Sequence, residues 1–268
     1  MKFPKPIITK EHGTWAMLLV PMAVAATTAG TFSVNAAFLV VSALGVFLSF
    51  VPLNSLMDEY TSNSHPERFL ENALWCVIYL AVGVGAVLPL IRDGFWMIVP
   101  LGSTAGFTFF THFLLTRSLQ KSIVTDIVAV AGLALGAPAM YYVLTRSLDF
   151  HAWILFVINF LFFSSSVVYV HLKIRVTRGK KSDLTLSEKL AAGRLNLAYH
   201  AFVIAVVAAL SLYRLTPATA VLAFVPMTIH AFYGTYRLSS RVSFSRLGFA
   251  LLAHSIGFTL LWSISVFL

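Results

Sequence analysis

Long apolar runs alternate along this chain with short polar interruptions, and the polar residues crowd at the mouths of the runs. In the stretch ITKEHGTWAMLLVP, Glu11 and His12 stand at the entrance of a segment that then turns almost wholly apolar. Runs of this kind fall near 14–31, 34–53, 72–91, 95–115, 123–144, 151–171, 194–213, 217–233 and 247–267. Each approaches the roughly 20 residues that an α-helix needs to cross a bilayer. The pattern therefore predicts an all-α, polytopic membrane protein with nine transmembrane helices in a single integral membrane domain over 1–268. Gly30 with GTFSVN, Arg92-Asp93-Gly94, TRSLQK, TRSLD and Arg214 with Pro217 supply the turns. Pro21, Pro138 and Pro226 are candidate bends, and Gly132, Gly136 and Ala137 offer a close helix contact. Lys2, Lys5 and Lys10 before an apolar run resemble the start of a signal peptide. That run is long, lacks a small-x-small cleavage site and is followed by further spans, so it is expected to remain as the first helix.

Composition agrees. The chain is 59% hydrophobic and 11% charged, with 23 phenylalanines and a mean hydropathy of +0.85. A soluble domain carries about 25% charge, and this chain has too few charges to cover a water-facing surface. The formal charge of +9 would suggest nucleic acid in a soluble protein. In a membrane chain it is read by position, and no nucleic-acid partner is expected. With the amino terminus on one side, every lysine and arginine of the 19 falls on that side except Arg92, Arg146 and Arg214. The positive-inside rule then places the amino terminus in the cytoplasm and the carboxyl terminus outside. The segments 54–71 and 172–193 are expected as loops capping the cytoplasmic mouth. One cysteine excludes an internal disulfide.

The strongest basic run, HLKIRVTRGKK, anchors the chain by the same rule and favours anionic lipid headgroups. It also suits a phosphate or diphosphate clamp, in which arginine offers a planar fork and lysine a point charge. No glycine-rich phosphate loop, CxxC or HExxH occurs, so a nucleotide-driven enzyme and a familiar zinc hydrolase have no support.

Seven of the eight histidines fall on the predicted cytoplasmic side, and His151 is the exception. Asp126, His200 and His254 are the deepest ionisable residues. Such groups face a protein interior, a wet cavity or one another. With Glu11, His12, Asn54 and Arg194 they suggest a polar cavity open to the cytosol; the alternative is a hydrogen-bond network stapling helices together. Asn54 and Asp58 are four apart and share a face if their helix extends that far, offering oxygen ligands suited to magnesium. Histidines suit iron, zinc or copper better, and a neutral histidine beside a carboxylate can act as a general base. Trp15, Tyr60, Tyr169 and Tyr199 are read as interface anchors.

KEHGTWAMLLVP, FLFFSSSVVYVHLKIR, YHAF and SRLGFALLAHSIGF resemble the YwiC-like family of bacterial membrane proteins, from Ile8 to near the carboxyl terminus. This resemblance implies the bacterial inner (plasma) membrane. A fainter likeness reaches the UbiA-type intramembrane prenyltransferases, through the nine helices, the polar mouth and TRSLQKSIVTDIVAVAGLALGAPAM. It implies a UbiA-like helical bundle, magnesium, and an isoprenoid diphosphate joined to an acceptor. NSLMDEYTSN aligns with the first aspartate-rich motif of that superfamily, with Asn54 and Asp58 at its opening positions and Ser62 where another acid is expected. Arg117 resembles its basic residue after helix four, assisted by Lys121. The second motif departs: His171, Lys173, Arg175 and Arg178 stand where aspartates are expected. Either these cations replace a magnesium and hold diphosphate directly, or the fold is kept while the reaction has changed or vanished.

The favoured expectation is a UbiA-like enzyme acting on a lipid-soluble substrate. Glu11, His12, Asp126, His200 and His254 are its candidate catalytic groups. Asn54, Arg117, Lys121, His171, Lys173, Arg175, Arg178 and Arg194 are candidates for substrate binding, and Asn54 and Asp58 for metal. The alternatives are a histidine-rich metal- or haem-binding membrane protein, a secondary transporter, and a membrane assembly protein without chemistry. No internal repeat supports the transporter.

Overall fold

The computed structural model describes residues 5–9, 12–62, 66–119, 122–179 and 184–268. Its helices are α1 (His12–Ala29), α2 (Val34–Ser62), α3 (Pro66–Gly85), α4 (Val87–Arg92), α5 (Ile98–Leu119), α6 (Ile123–Ala134), α7 (Gly136–Thr145), α8 (Phe150–Arg178), α9 (Leu186–Leu212), α10 (Val225–Tyr236) and α11 (Phe244–Phe267). A 3₁₀ turn, Ala220–Ala223, precedes α10. The chain is all-α and multi-pass. Among the described residues, seven helical stretches are long and apolar enough to cross a membrane: Val34–Glu59, Phe69–Arg92, Ile98–Thr116, Ile123–Thr145, Phe150–Arg178, Leu186–Leu212 and Phe244–Phe267. The runs expected at 14–31 and 217–233 form shorter helices, Gly13–Ala29 and the 3₁₀ turn with α10.

The expected caps at 54–71 and 172–193 need correction, because much of both is helix. Residues 54–62 continue α2, Pro66 opens α3, α8 runs on to Arg178 and α9 begins at Leu186. The sequences explain this: MDEYTS and LKIRVTR contain no glycine or proline to stop a helix. Thr185 caps α9 reciprocally with Glu188, and Ser122 caps α6 with Thr125. Asp149 opens α8 by accepting from the backbone N–H groups of His151 and Ala152.

Close packing is set by small residues. An added Cβ at Gly45 would strike the backbone of Gly83 and the carbonyl of Tyr79, so α2 and α3 touch main chain to main chain. The expected contact at Gly132 and Gly136 is present: Gly132 faces Thr108 of α5 and Gly136 faces Met22 of α1. α8 forms the central post, with Phe162 stacked on Phe258 of α11 at 4.0 Å and edge-on to Phe224 at 5.9 Å.

Polar links tie the helix ends. Asn35 Nδ2 donates to Asp93 Oδ2 at 2.8 Å, and Arg146 donates to the Asp93 carbonyl at 3.1 Å, which gathers the start of α2 and the ends of α4 and α7. Trp262 Nε1 donates to Thr28 Oγ1 at 2.9 Å, so α1 and α11 have their carboxyl ends together. The Ser211 hydroxyl meets Thr216 and the Pro217 carbonyl where α9 ends. This end holds Arg92, Arg146 and Arg214 and is the lean end; the other is the basic end. From Pro217 the 3₁₀ turn and α10 return toward the basic end, where Thr235 meets Gly193 near the start of α9.

Candidate functional site

Two polar groupings lie in the basic half, and α8 separates them. In the first, the α6 capping box orients Asp126 in the first turn of α6, where the helix dipole favours a carboxylate. His171 of α8 donates from Nε2 to Asp126 Oδ2 at 2.8 Å. A neutral ring therefore keeps Nδ1 as an acceptor. His112 of α5 donates from Nδ1 to the Thr125 carbonyl at 2.8 Å, beside Asp126. The Phe50 ring of α2 packs 6.3 Å from His112, and helical spacing puts Asn54 and Asp58 on that same face of α2. Arg175 is one turn beyond His171 and exposed. A notch of about 10 Å³, the room of a single water, lies between His171, Arg175 and Asn196.

In the second grouping, Lys173 is buried and donates to the Gly234 carbonyl of α10 at 2.7 Å. Its ammonium sits 5.1 Å over the Tyr169 ring. His230 stands edge-on to Tyr169 at 5.3 Å and to His254 at 4.8 Å. Gly234 is required here, because an added Cβ would run into the Tyr169 phenol. A lysine at the last carbonyls of a helix also suits its dipole.

The expected residues thus divide. Asp126 and His171 meet. Lys173, two residues after His171, turns to the opposite side of α8 and joins His230 and His254, so the clamp expected of His171, Lys173, Arg175 and Arg178 is not one cluster. Arg175, Arg178 and Arg194 are exposed. His200 is buried one turn beyond Asn196: Nδ1 donates to the Asn196 carbonyl at 2.9 Å, and Nε2 has no hydrogen-bond partner among the described residues. Asn54 is half-buried and Asp58 exposed on α2. Glu11 and Lys121 lie outside the described residues, as do the side chains of His12 and Arg117. Among the described residues, no three histidine, cysteine, aspartate or glutamate side chains gather to hold a metal. Asn54 and Asp58 offer one amide oxygen and one carboxylate, and a magnesium there would complete its shell from substrate oxygens and water.

Tyr169 is not an interface anchor: it is buried on Gly234. Asn196, whose Nδ2 bonds the Ala231 carbonyl and Thr235 Oγ1, was not foreseen as a polar tie. Its signal in the sequence is an amide near the start of the apolar run at 194–213.

A second space differs from the expected polar cavity. A cavity of about 440 Å³ lies between α1, α2, α4, α5 and the α6–α7 pair, walled by residues such as Leu18, Met22, Val46, Phe47, Phe109 and Leu133. Ser42 and Ser103 are its sole polar side chains. None of the candidate site residues lines it. Phe109 meets Phe50 at 5.4 Å, and this pair with His112 closes the cavity toward the basic end.

Residues 8–141 match the family described as YwiC-like protein. A protein of Bacillus subtilis (strain 168), named "Uncharacterized protein YwiC", is 25% identical over 177 residues, covering 66% of this chain and 70% of that protein. No solved structure matches. The helical membrane architecture and the span of the match, which takes in His12, Asn54, Asp58, His112 and Asp126, place this chain in the YwiC-like family.

Proposed function

We propose that this YwiC-like chain is a UbiA-like membrane enzyme acting from the cytoplasmic side on a lipid-soluble substrate that carries a diphosphate, of which an isoprenoid diphosphate is the leading case. The observation that carries this reading is the Asp126–His171 pair at 2.8 Å, in line with His112 and the Asn54 face of α2 and followed by Arg175. A carboxylate holding an imidazole by Nε2 leaves Nδ1 able to accept a proton. Exposed Arg175 and Arg178 supply positive charge near it for a diphosphate. In the proposed step, the carbon–oxygen bond to the diphosphate breaks and the diphosphate leaves with the electron pair. The acceptor forms the new bond to that carbon and gives up its proton to His171. Magnesium at Asn54 and Asp58, when bound, adds positive charge for the phosphate oxygens. Glu11, His12, Arg117, Lys121 and Arg194 remain proposed contributors at the same mouth, while His200 and His254 are proposed to act through helix packing.

The proposed setting is a single membrane domain over 1–268 in the inner membrane, crossing nine times with the amino terminus in the cytoplasm. Support for nine comes from the parallel α1 and α11, which require an odd total when both cross, and from the return of the 3₁₀ turn and α10. The test is incubation of the purified protein with labelled isoprenoid diphosphates, membrane extract and magnesium. Product formation is expected, with Asp126→Asn and His171→Gln each lowering it by about 10²-fold or more. Absence of both binding and product overturns the prenyl version.

A second reading, a transition-metal or haem site, draws on the contact between His230 and His254 at 4.8 Å. It predicts a co-purifying metal or a Soret band that His254→Ala removes.

A further inference from the structure

The 440 Å³ cavity adjoins the first polar grouping only at its inner end, through Phe109, Phe50 and His112, and has a direction. We propose that it holds one acyl chain of a membrane phospholipid from the leaflet at the lean end, with the phosphate against Arg92 and Arg146. The walls are carbon apart from two serines, so water, which needs two to four polar partners, is a poor occupant. The volume falls within the roughly 300–1,000 Å³ of ligand pockets. On α5 the walls run from Ile98 to Phe109, about 16 Å at ~1.5 Å per residue. That is close to one leaflet of a hydrocarbon core roughly 30 Å thick.

The opening faces sideways. Val84 and Leu88 on one lip and Val99, Gly102, Ser103 and Gly106 of α5 on the other line the cavity and are exposed. A chain enters there from the bilayer without passing a polar region. Phe109, Phe50 and His112 stop it at the inner end. At the outer end the lining residue Ile91 adjoins Arg92. Arg146 bonds the Asp93 carbonyl and lies 4.5 Å over the Phe95 ring. The lean end also holds two carboxylates: Asp93 accepts from Asn35, and Asp149 accepts from the Ser147 hydroxyl and the first backbone N–H groups of α8. Arg146 also caps α7 in the left-handed region at φ 60°, where glycine is the relaxed choice. Two of the three cations of the lean end thus stand where this cavity ends, which is the charge that an anionic headgroup needs.

This site does not depend on chemistry at Asp126 and His171, and its test is separate. The full chain is reconstituted with phosphatidylglycerol carrying a photoreactive acyl chain, and the lipid retained through delipidation is counted by native mass spectrometry. One phospholipid per chain is expected, with cross-links on 84–91 and 98–109. An added Cβ at Gly102 or Gly106 meets nothing within 4 Å, so Gly102→Leu and Gly106→Phe can fill the chamber while the fold stays intact. Each should lower retention about tenfold, equivalent to ~1.4 kcal/mol, with unchanged thermal stability. Arg92→Gln should weaken the preference for phosphatidylglycerol over phosphatidylcholine severalfold. Should the glycine variants misfold, the cross-link map of the unaltered chain decides. No retained lipid, retention unmoved in folded Gly106→Phe, or an isoprenoid as the retained species would overturn the assignment.

Discussion

α8 and α5 are both long apolar helices, yet they play opposite parts. α8 is 72% buried over its most apolar window and α5 only 17%. α8 has protein on most sides, and two of its ionisable residues find partners on the neighbours that they face, His171 on α6 and Lys173 on α10, while Asn159 and Ser165 bond carbonyls of α8 itself. α5 leans chiefly on α6 and turns its remaining surface to lipid, which leaves the chamber behind it open. The difference shows that burial, more than hydrophobicity, decides where polar chemistry and empty space appear in this bundle.

The comparison can be broken most severely at Phe162. Phe162→Ala removes a ring stacked at 4.0 Å on Phe258 and should cost on the order of 3–5 kcal/mol, read by denaturant titration of the purified protein. Lipid is as apolar as phenylalanine, so the loss is one of packing rather than of hydration. Next comes Gly234→Ala, which forces Tyr169 aside and loosens the Lys173 tie; about 1–3 kcal/mol is expected in the same titration. The smallest effect belongs to α5. Phe107 is exposed, and Phe107→Ala should stay within about 0.5 kcal/mol. A Phe107→Ala loss as large as that at Phe162 would mean that α5 has a protein partner and does not face lipid.

The apolar runs made the helices legible, because a span needs length and little else. Their ends were less legible: hydropathy stops at the polar edge, whereas α2, α8 and α9 continue past it on capping and helix propensity. Asp126, Asn54 and His171 stood out as polar residues at the mouths of apolar runs. Their grouping did not, because sequence spacing says nothing about rotation between helices that are distant in the chain. Lys173 shows the cost: two residues from His171, it lies on another face and serves another helix. The chamber was invisible for a related reason. It is made by what α5 fails to touch, and Gly102 and Gly106 look in sequence like packing glycines, the role that Gly132 fills.

The bond from Trp262 to Thr28 carries a consequence for assembly. α1 packs little on its immediate successor α2 and leans on α7 and α11. It must therefore wait in the bilayer until α7 and then α11 have been made, and its seam with α11 closes after its seam with α7. Partners so far apart in the chain carry a larger loop-closure entropy than neighbours do.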